Sequence, residues 1–400
     1  MFDINEPATW PEIGKLDEEL AELVRDNPKP QYTREGDDYL ATRREWTAMA
    51  RKEANEALEA AKEDVKEHEI QIPVKGSVMR ALVYAPKRSS PSGCPLLVLF
   101  HGGAFCYGPP EFESVNCINA AKAYGCVAMT LDYPLAPETK WPHVLYRSWE
   151  AIQWIASHTS ELGADTTQGF LIGGCSAGSL IAAVCVHWAQ DQGLSPPLTG
   201  AHYSVAGFGS PQNFPEKYRD YHTSSQNSEV VLWKRPTKPY DALAAVELDF
   251  DSPLWNVVSW KTGHAGHPPA YFQLCGLDTT RDDSLIMERI LRDDGVKTKV
   301  DIYPGLPHIF WMSYPEHSMR PKYIQDTLKG VRWLLGKGEH EAVTQDPHRL
   351  YELTPNGLFR LQRCWFPPDS AHRSGAKFQS SARTVGNEAG LFNAKVAHHE

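Results

Sequence analysis

The 400-residue chain lacks the long apolar runs and paired cysteines that define several classes of protein. Its longest apolar stretch, near residues 95–100, is far shorter than the roughly 20 residues that a membrane-spanning helix needs. The first residues show no basic segment followed by an apolar one, so a secretory signal is not expected. The eight cysteines form no CxxC pair and no metal-ligand spacing, which favours reduced thiols. These absences predict a cytoplasmic protein without a membrane span or a bound metal.

A dense tract of positive charge is also missing. The chain has 40 Lys and Arg residues against 50 Asp and Glu residues, for a formal net charge of −10. Because nucleic-acid binding depends on clustered positive charge, we expect no nucleic-acid partner. Hydrophobic residues make up 42% of the chain, which is enough for a sizeable core and excludes a wholly disordered protein.

Two amphipathic helices are predicted near the N-terminus. Apolar residues recur every three or four positions over residues 13–24 and again over residues 46–65. A helix cannot bury such a stripe by itself, so each helix must pack on another part of the protein.

From residue 95 onward, the patterns typical of strands and helices alternate. Two strands, at residues 70–74 and 78–85, are predicted before this region. Within it, strands are predicted at residues 96–100, 127–131, 170–172, 270–274 and 299–303, and helices at 114–124, 144–156, 180–190, 284–293 and 323–335. This spacing is typical of βαβ crossovers and predicts an α/β fold, with a mostly parallel sheet covered by helices on both faces. Residues 207–266 interrupt the alternation and are expected to form an irregular insertion. The polar residues 337–400 are expected to form a weakly ordered extension.

A serine stands on a predicted turn between a strand and a helix. The motif GCSAG at residues 174–178 follows the strand at 170–172. On such a turn the Ser176 hydroxyl is exposed at the end of the strand, and the flanking glycines avoid collisions with neighbouring elements. The short motif alone is weak, but its strand-turn-helix context favours a nucleophilic serine.

A glycine-rich loop, HGGAF at residues 101–105, directly follows the strand at 96–100. Its two glycines allow the backbone N–H groups to turn outward. Taken alone, the loop is a plain Gly-Gly turn. Together with the serine motif, it makes the amides of Gly102, Gly103 and Ala177 candidates to stabilise a developing oxyanion.

A nucleophilic serine needs a base that takes its proton and an acid that holds the base. Asp278 and His308 follow in the order serine, acid, histidine, each in a loop after a predicted strand. Asp282 and Asp283 are alternatives for the acid, but they fall where they would cap the next helix. We therefore favour a catalytic triad of Ser176, Asp278 and His308.

The chain resembles the hormone-sensitive-lipase-like family of α/β-hydrolase esterases, which includes the arylacetamide deacetylases. The matching motifs, in order, are HGGAF, DYPLAPE at 132–138, GCSAG, DTTRDD at 278–283 and PGLPHIF at 304–310. The resemblance covers about residues 70–336 and implies the α/β-hydrolase fold, with a catalytic domain at residues 69–336. It also implies that residues 1–68 form a helical cap over the site, to which the insertion at 207–266 contributes. The resemblance implies the same roles: Ser176 as nucleophile, Asp278 as acid and His308 as base, with the amides of Gly102, Gly103 and Ala177 as oxyanion donors.

Two positions depart from the family pattern. Ala104 stands in place of the third glycine of the oxyanion loop, and its methyl group would narrow the acyl pocket or shift the loop. Pro134 stands in place of an arginine, which removes a structural charge partner. Ala104, Tyr107 and Trp311 are candidates to contact an apolar substrate, although core packing explains each aromatic residue equally well.

Cysteine and histidine residues near these motifs have a structural interpretation as well as a functional one. Cys106 and Cys175 are interpreted as small buried residues rather than redox-sensitive thiols. His264 and His267 have the spacing of a ligand pair, but no third ligand stands nearby in the sequence, so no metal site is predicted.

These residues predict a serine hydrolase that cleaves carboxylic esters of small to medium apolar substrates through an acyl-enzyme intermediate. No metal or organic cofactor is expected, the partner is a small-molecule ester, and a homodimer is compatible with the sequence. Two alternatives stay open: the same scaffold could catalyse elimination or cyclisation of an activated acyl group, or it could be a non-enzymatic small-molecule receptor. The retained Ser176, Asp278 and His308 argue against the receptor.

Overall fold

The computed structural model describes residues 1–26, 39–88, 90, 93–229 and 245–337. Its strands are β1 (Val65–Val74), β2 (Ser77–Pro86), β3 (Leu96–Phe100), β4 (Val127–Leu131), β5 (Phe170–Cys175), β6 (Gly200–Ser204), β7 (Ala270–Cys275) and β8 (Thr298–Tyr303). Its helices are α1 (Glu18–Asp26), α2 (Tyr39–Ala60), α3 (Ser114–Tyr124), α4 (His143–Ser157), α5 (Ala177–Gln192), α6 (Glu216–Arg219), α7 (Arg281–Asp293), α8 (Phe310–Ser313) and α9 (Arg320–Leu334). The C-terminal extension predicted from residue 337 lies, after Lys337, outside the described residues.

The eight strands form one sheet in the order β1-β2-β4-β3-β5-β6-β7-β8. β2 pairs antiparallel with β1 and β4, whereas every pair from β4 to β8 is parallel. The predicted α/β class with a mostly parallel sheet is therefore confirmed. Because the parallel strands run in one direction, the loops that follow β3, β5, β7 and β8 leave the same edge of the sheet. These are the loops that carry the candidate motifs.

Strand β3 shows how the core is divided between the two faces of the sheet. Leu96, Val98 and Phe100 belong to the apolar cluster that contains α4, α5 and α7. Leu97 and Leu99 belong to the cluster on the other face, with α3 and α9. All five side chains are buried, because side chains alternate along a strand and helices cover both faces. The unbroken apolar run in the sequence is the signature of this double coverage.

Strand β6 was not predicted, because its sequence GAHYS has little of the apolar pattern of a buried strand. Its polar side chains are buried with partners instead. His202 Nε2 lies 2.9 Å from Gln273 Oε1, and Ser204 Oγ lies 2.9 Å from the Tyr323 hydroxyl oxygen. Buried polar groups are tolerated when they are hydrogen-bonded, and such pairs cannot be read from one strand alone.

The N-terminal helix prediction is wrong in its boundaries. Residues 13–24 do not form one helix: a 3-10 helix spans Pro7–Gly14, and α1 begins at Glu18. The break lies at Lys15, which is extended with a ψ of 128°, and α1 starts afresh where the Asp17 carboxylate accepts from the Leu20 amide at 2.9 Å. The second helix, predicted over residues 46–65, is present as α2 but begins and ends earlier, because it spans Tyr39–Ala60 and Val65 already belongs to β1. None of the helices in the described ranges is long and apolar enough to cross a membrane.

The predicted insertion at residues 207–266 lies between β6 and β7. Its described parts consist of α6 and short 3-10 helices, joined by irregular segments. Residues 230–244 lie outside the described part of the chain. The described part of the insertion contacts the loop before α4: the amide of Trp141, in that loop, donates to the carbonyl of Val246, in the insertion, at 2.9 Å.

Candidate active site

Ser176 occupies a sharp turn between the end of β5 and the start of α5. Its φ and ψ angles are +52° and −117°, a region that residues other than glycine rarely adopt. Such backbone strain costs about 1–3 kcal/mol and persists only where the surroundings hold it. The Ser176 amide donates to the Ser204 carbonyl of β6 at 2.8 Å, and the Ser179 hydroxyl donates to the Gly174 carbonyl at 2.6 Å. These bonds hold the turn at the carboxyl edge of the sheet.

Two glycines allow this turn to lie against β3. A Cβ atom on Gly174 would lie 2.5 Å from the Phe100 carbonyl oxygen, and a Cβ atom on Gly178 would lie 2.1 Å from the same oxygen. Real side chains do not approach a backbone oxygen so closely, so a larger residue at either position would displace a strand or the helix. The two glycines of the motif are therefore a packing requirement of the turn.

The imidazole of His308 lies between Ser176 and Asp278. His308 Nδ1 is 2.6 Å from Asp278 Oδ2, and His308 Nε2 is 2.9 Å from Ser176 Oγ. Because an ionised carboxylate can only accept hydrogen bonds, Nδ1–H donates to Asp278, which leaves Nε2 to accept from the serine hydroxyl. The Thr280 amide donates to the other Asp278 oxygen at 2.9 Å. Asp278 is 2% exposed and the His308 side chain 35% exposed, so the imidazole remains accessible to a substrate.

The two other aspartates of this loop have different partners. Asp282 pairs with Arg281 at 2.6 Å and accepts from the Ser224 amide at 2.7 Å. Asp283 Oδ1 lies 2.9 Å from His222 Nε2, and burial raises the pKa of Asp283 to about 6. Both carboxylates therefore hold the insertion against the start of α7. This is a structural role, and it lies at the helix start where the sequence predicted these two residues.

The N-terminal segment supports the loops of the candidate acid and base, and the sequence did not predict these contacts. The Gly305 amide donates to the Ile13 carbonyl at 2.8 Å, and the Asp17 amide donates to the Gly305 carbonyl at 3.2 Å. A Cβ atom on Gly276 would lie 1.8 Å from the Ile13 carbonyl oxygen. One available signal was Asp17, a residue type that favours the start of a helix, and its carboxylate accepts from the Leu20 amide at 2.9 Å.

The loop that follows β3 turns back on itself beside Ser176. The amides of Cys106 and Tyr107 both donate to the Gly103 carbonyl, at 3.0 and 2.9 Å. Gly103 has a φ of +129°, and a Cβ atom there would lie 2.1 Å from the Tyr107 carbonyl oxygen, so this position requires glycine. A Cβ atom on Gly102 would lie 3.4 Å from Ser176 Cβ. The loop therefore lies directly against the candidate nucleophile.

Three backbone amides beside Ser176 are available to a ligand. In the described part of the chain, the N–H groups of Gly102, Gly103 and Ala177 donate to no protein acceptor. Ala177 is the first residue of α5, where the amide has no intrahelical partner and the helix dipole favours negative charge. These are the amides that the sequence predicts as oxyanion donors, and this role stays a prediction.

The three candidate substrate-contacting residues have different surroundings. Ala104 is partly exposed and has a φ of +51°, which is unusual for a residue with a side chain. The ring of Tyr107 lies 5.4 Å from the ring of Trp46 on α2. The ring of Trp311 stacks on Tyr323 at 3.7 Å, so one of its faces is used in packing. A substrate contact by any of the three stays a prediction.

The two thiols beside the motifs are buried. Burial raises the pKa of Cys106 to about 12 and holds the pKa of Cys175 well above its ordinary value. Because the thiolate is the reactive form of cysteine, burial and the raised pKa both disfavour reaction of these side chains at neutral pH. Their burial agrees with a packing role.

His264 and His267, at the end of the insertion, belong to a buried cluster with His187 of α5. His187 Nε2 lies 2.9 Å from His264 Nδ1, and His267 Nε2 lies 2.9 Å from the Tyr203 hydroxyl oxygen. Burial lowers the pKa of His267 to about 4. No group of three or more His, Cys, Asp or Glu side chains in the described ranges could hold a metal ion.

Comparisons with known proteins give matches over most of the chain. A family of the alpha/beta hydrolase fold matches residues 97–312. An AB hydrolase superfamily protein of Schizosaccharomyces pombe is 31% identical over 82% of this chain and 96% of its own length. A versiconal hemiacetal acetate esterase of Dothistroma septosporum is 28% identical over 61% of this chain and 75% of its own length.

Solved structures show the same similarity. A crystal structure of vibralactone cyclase is 26% identical, with a TM-score of 0.72, and the match covers 81% of this chain and 96% of that one. An esterase of Pyrobaculum calidifontis is 25% identical, with a TM-score of 0.60, over 80% of this chain and 99% of that one. The predicted α/β-hydrolase fold is therefore confirmed.

Proposed function

The chain belongs to the alpha/beta hydrolase fold family, as its resemblance to hormone-sensitive-lipase-like esterases predicted, and on that premise we propose that it is a serine hydrolase of carboxylic esters. The observation that carries the proposal is the continuous hydrogen-bonded series from Asp278 through His308 to Ser176. A serine hydroxyl becomes nucleophilic when a base takes its proton and an acid orients that base.

In the proposed reaction, Ser176 Oγ attacks the ester carbonyl carbon while His308 Nε2 takes the hydroxyl proton. The Asp278 carboxylate holds Nδ1–H and stabilises the imidazolium that forms. His308 then protonates the leaving alcohol, which leaves an acyl group on Ser176. Water, activated by the same imidazole, attacks the acyl-enzyme and releases the acid. The chemistry requires no metal or organic cofactor.

The amides of Gly102, Gly103 and Ala177 are proposed to stabilise the oxyanion of the tetrahedral intermediates. Each is fixed by its own turn or helix before the substrate arrives, so no reorganisation is needed as the negative charge develops. Loss of one such donor typically lowers kcat by about 10²–10³-fold.

The proposed substrates are carboxylic esters of small to medium apolar compounds. Two similar proteins, a versiconal hemiacetal acetate esterase and a mycobacterial carboxylesterase, are named for ester cleavage. The methyl group of Ala104 on the oxyanion loop favours a short acyl group, and Tyr107 and Trp311 are proposed to contact the substrate.

Residues 1–68 and the insertion at 207–266 are proposed to cap the catalytic domain at 69–336. A cytoplasmic location and a homodimer stay predictions from the sequence.

Cyclisation is a second candidate reaction on the same residues. It is favoured by the similarity to a vibralactone cyclase, whose crystal structure has a TM-score of 0.72 to this chain. In that case an internal nucleophile of the substrate, rather than water, would attack the acyl group on Ser176. The receptor alternative predicts instead that Ser176 is unreactive.

The test is hydrolysis of a series of p-nitrophenyl esters, from acetate to laurate, by the wild type and by Ser176→Ala. Ser157→Ala is a matched control, because Ser157 lies at the exposed end of α4. Turnover of short-chain esters that is lost only in Ser176→Ala would support the proposal. Covalent labelling of Ser176 by a fluorophosphonate without any ester turnover would favour cyclisation. The absence of both labelling and turnover would refute the enzyme proposal.

A further inference from the structure

We propose that Arg43, on helix α2, is a positioning residue that holds the oxyanion loop in place beside Ser176. This inference rests on the proposed function. The guanidinium makes contacts with two separate segments of the catalytic domain. Its Nε donates to the Cys106 carbonyl at 2.8 Å, and its Nη2 donates to the Ala136 carbonyl. Its Nη1 and Nη2 donate to the two carboxylate oxygens of Glu138, at 2.9 and 3.0 Å.

The loop held by Arg43 has a backbone that needs outside support. Ala104 and Phe105 have φ angles of +51° and +61°, in the left-handed region that disfavours residues with side chains. Such conformations persist only where the surroundings over-determine them. Within the loop, the Cys106 amide closes the turn on the Gly103 carbonyl at 3.0 Å. Arg43 fixes the other polar group of the same residue, because its Nε donates to the Cys106 carbonyl.

The segment at residues 136–138 forms the second support of the loop. The Ala136 amide donates to the Phe105 carbonyl at 2.8 Å, so this segment contacts the loop directly. Arg43 then joins the two, since it binds a carbonyl on each and the carboxylate of Glu138 besides. A planar guanidinium can make all of these contacts at once, whereas a lysine ammonium cannot reproduce the bidentate pair.

Helix α2 meets the same region through an apolar contact. The ring of Trp46 lies 5.4 Å from Tyr107 at the end of the loop and 5.8 Å from Phe112. Arg43 and Trp46 are one helical turn apart and therefore point to the same side of α2. The Arg43 side chain is only 16% exposed, so its bonds to the carbonyls are shielded from water, whereas Glu138 is 56% exposed. The carbonyl contacts, rather than the ion pair, are therefore expected to dominate.

The expected effect of Arg43→Ala is a loss of transition-state stabilisation without a matching loss of substrate binding. A misplacement of about 1 Å costs about 10²-fold in rate, and deletion of a whole donor costs about 10²–10³-fold. A loosened loop should fall at or below that range, so we expect kcat to drop by about 10- to 100-fold. KM should change by less than about threefold, because the loop amides that Arg43 positions stabilise the oxyanion of the transition state rather than the bound ester.

Three further variants separate positioning from general effects. Lys52→Ala removes a positive charge from the same helix at an exposed site, where the ammonium lies 4.0 Å from the Glu56 carboxylate, and should leave kcat unchanged. Glu138→Gln keeps the carbonyl contacts of Arg43 and should lose less activity than Arg43→Ala. Arg43→Lys keeps the charge and should be intermediate. Added ethylguanidinium should restore part of the activity of Arg43→Ala and should leave the activity of Lys52→Ala unchanged.

The measurement uses two readouts on the full chain, after thermal melts show that each variant is folded. The first is the kcat and KM of p-nitrophenyl acetate hydrolysis. The second is the rate of phosphonylation by a fluorophosphonate, in which Ser176 Oγ bonds to phosphorus, fluoride leaves and His308 takes the hydroxyl proton. The phosphoryl oxygen occupies the oxyanion position, so this rate should fall together with kcat.

A folded Arg43→Ala with kcat and phosphonylation rate within about threefold of wild type would overturn the inference while leaving the proposed function intact. An equal loss in Lys52→Ala, or a change confined to KM, would also overturn it. A wild type that neither reacts with the fluorophosphonate nor cleaves any ester would refute the proposed function itself, and the positioning role with it.

Discussion

Glu113 provides a prediction about stability that can be worked out from one buried carboxyl group. It lies directly before α3, is 6% exposed, and accepts a hydrogen bond from Asn116 Nδ2 at 2.8 Å. Burial raises the pKa of Glu113 to about 7, and the bond from Asn116 opposes the rise only in part. The folded protein therefore favours the neutral acid, whereas the unfolded chain releases the proton near pH 4.5.

The sign and size of the effect follow from this difference in pKa. Between pH 4.5 and about 7 the folded chain keeps a proton that the unfolded chain has lost, so the free energy of unfolding falls as the pH rises. At about 1.4 kcal/mol per pH unit, this interval corresponds to about 3 kcal/mol, and the loss levels off above pH 7. Glu113→Gln is neutral at every pH and should lack this component.

The assay is urea denaturation, followed by tryptophan fluorescence, at about pH 5 and about pH 8. Relative to wild type, Glu113→Gln should gain about 2.5 kcal/mol between these two pH values, because about two pH units of the interval lie above pH 5 and the other titrating groups cancel in the difference. Glu59→Gln is the matched control: that side chain is 70% exposed, so its curve should stay parallel to wild type. If the curves of Glu113→Gln and wild type are also parallel, the argument from burial is refuted.

Three further predictions test single features of the site. Asp278→Asn keeps the side-chain shape but removes the charge that orients His308, so kcat for p-nitrophenyl acetate should fall on the order of 10³-fold with little change in KM. In Gly178→Ala the new Cβ would lie 2.1 Å from the Phe100 carbonyl oxygen, so urea denaturation should show a loss of about 3 kcal/mol. Because burial raises the pKa of Cys106 to about 12, peptide mass spectrometry should find that cysteine unmodified after iodoacetamide treatment of the folded protein at neutral pH.

For each of these predictions, one result would contradict the reasoning. Asp278→Asn with the kcat of wild type would mean that another group orients the imidazole. Gly266→Ala is the control for the glycine variant, since its Cβ would meet nothing closer than Gln190 at 3.5 Å, and its stability should stay within about 0.5 kcal/mol. Equal losses in both glycine variants would rule out the steric explanation. Rapid modification of Cys106 in the folded protein would show that the thiol is accessible and ionised.

The sequence predicted those parts of the molecule that depend on local patterns. Leu96–Phe100 and Val127–Leu131 were predicted as strands with the bounds that the structure has, because both are covered on two faces and are apolar throughout. The order of Ser176, Asp278 and His308 along the chain also predicted the residues that the structure brings within hydrogen-bond distance. Such motifs are readable because each lies in a loop after a recognisable strand.

Features that depend on distant contacts could not be predicted in this way. Strand β6 is stabilised by partners such as Gln273 and Tyr323, which lie far away in the sequence. The Ile13 carbonyl accepts a hydrogen bond from the amide of Gly305, which lies far away in the sequence. Arg43 lies among other charged residues of an amphipathic helix, and nothing in that pattern distinguishes it as the one that binds the oxyanion loop. Only the fold brings these pairs together.

The most direct test of the central claim is to trap the acyl-enzyme. The wild type and Ser176→Ala are each mixed with p-nitrophenyl acetate and quenched in acid at short times, and the peptides are analysed by mass spectrometry. The account predicts a single acetyl group on the peptide that contains Ser176 in the wild type and none in the variant. Ester turnover that continues in Ser176→Ala, or an acetyl group found on a different residue, would contradict the assignment of Ser176 as the nucleophile.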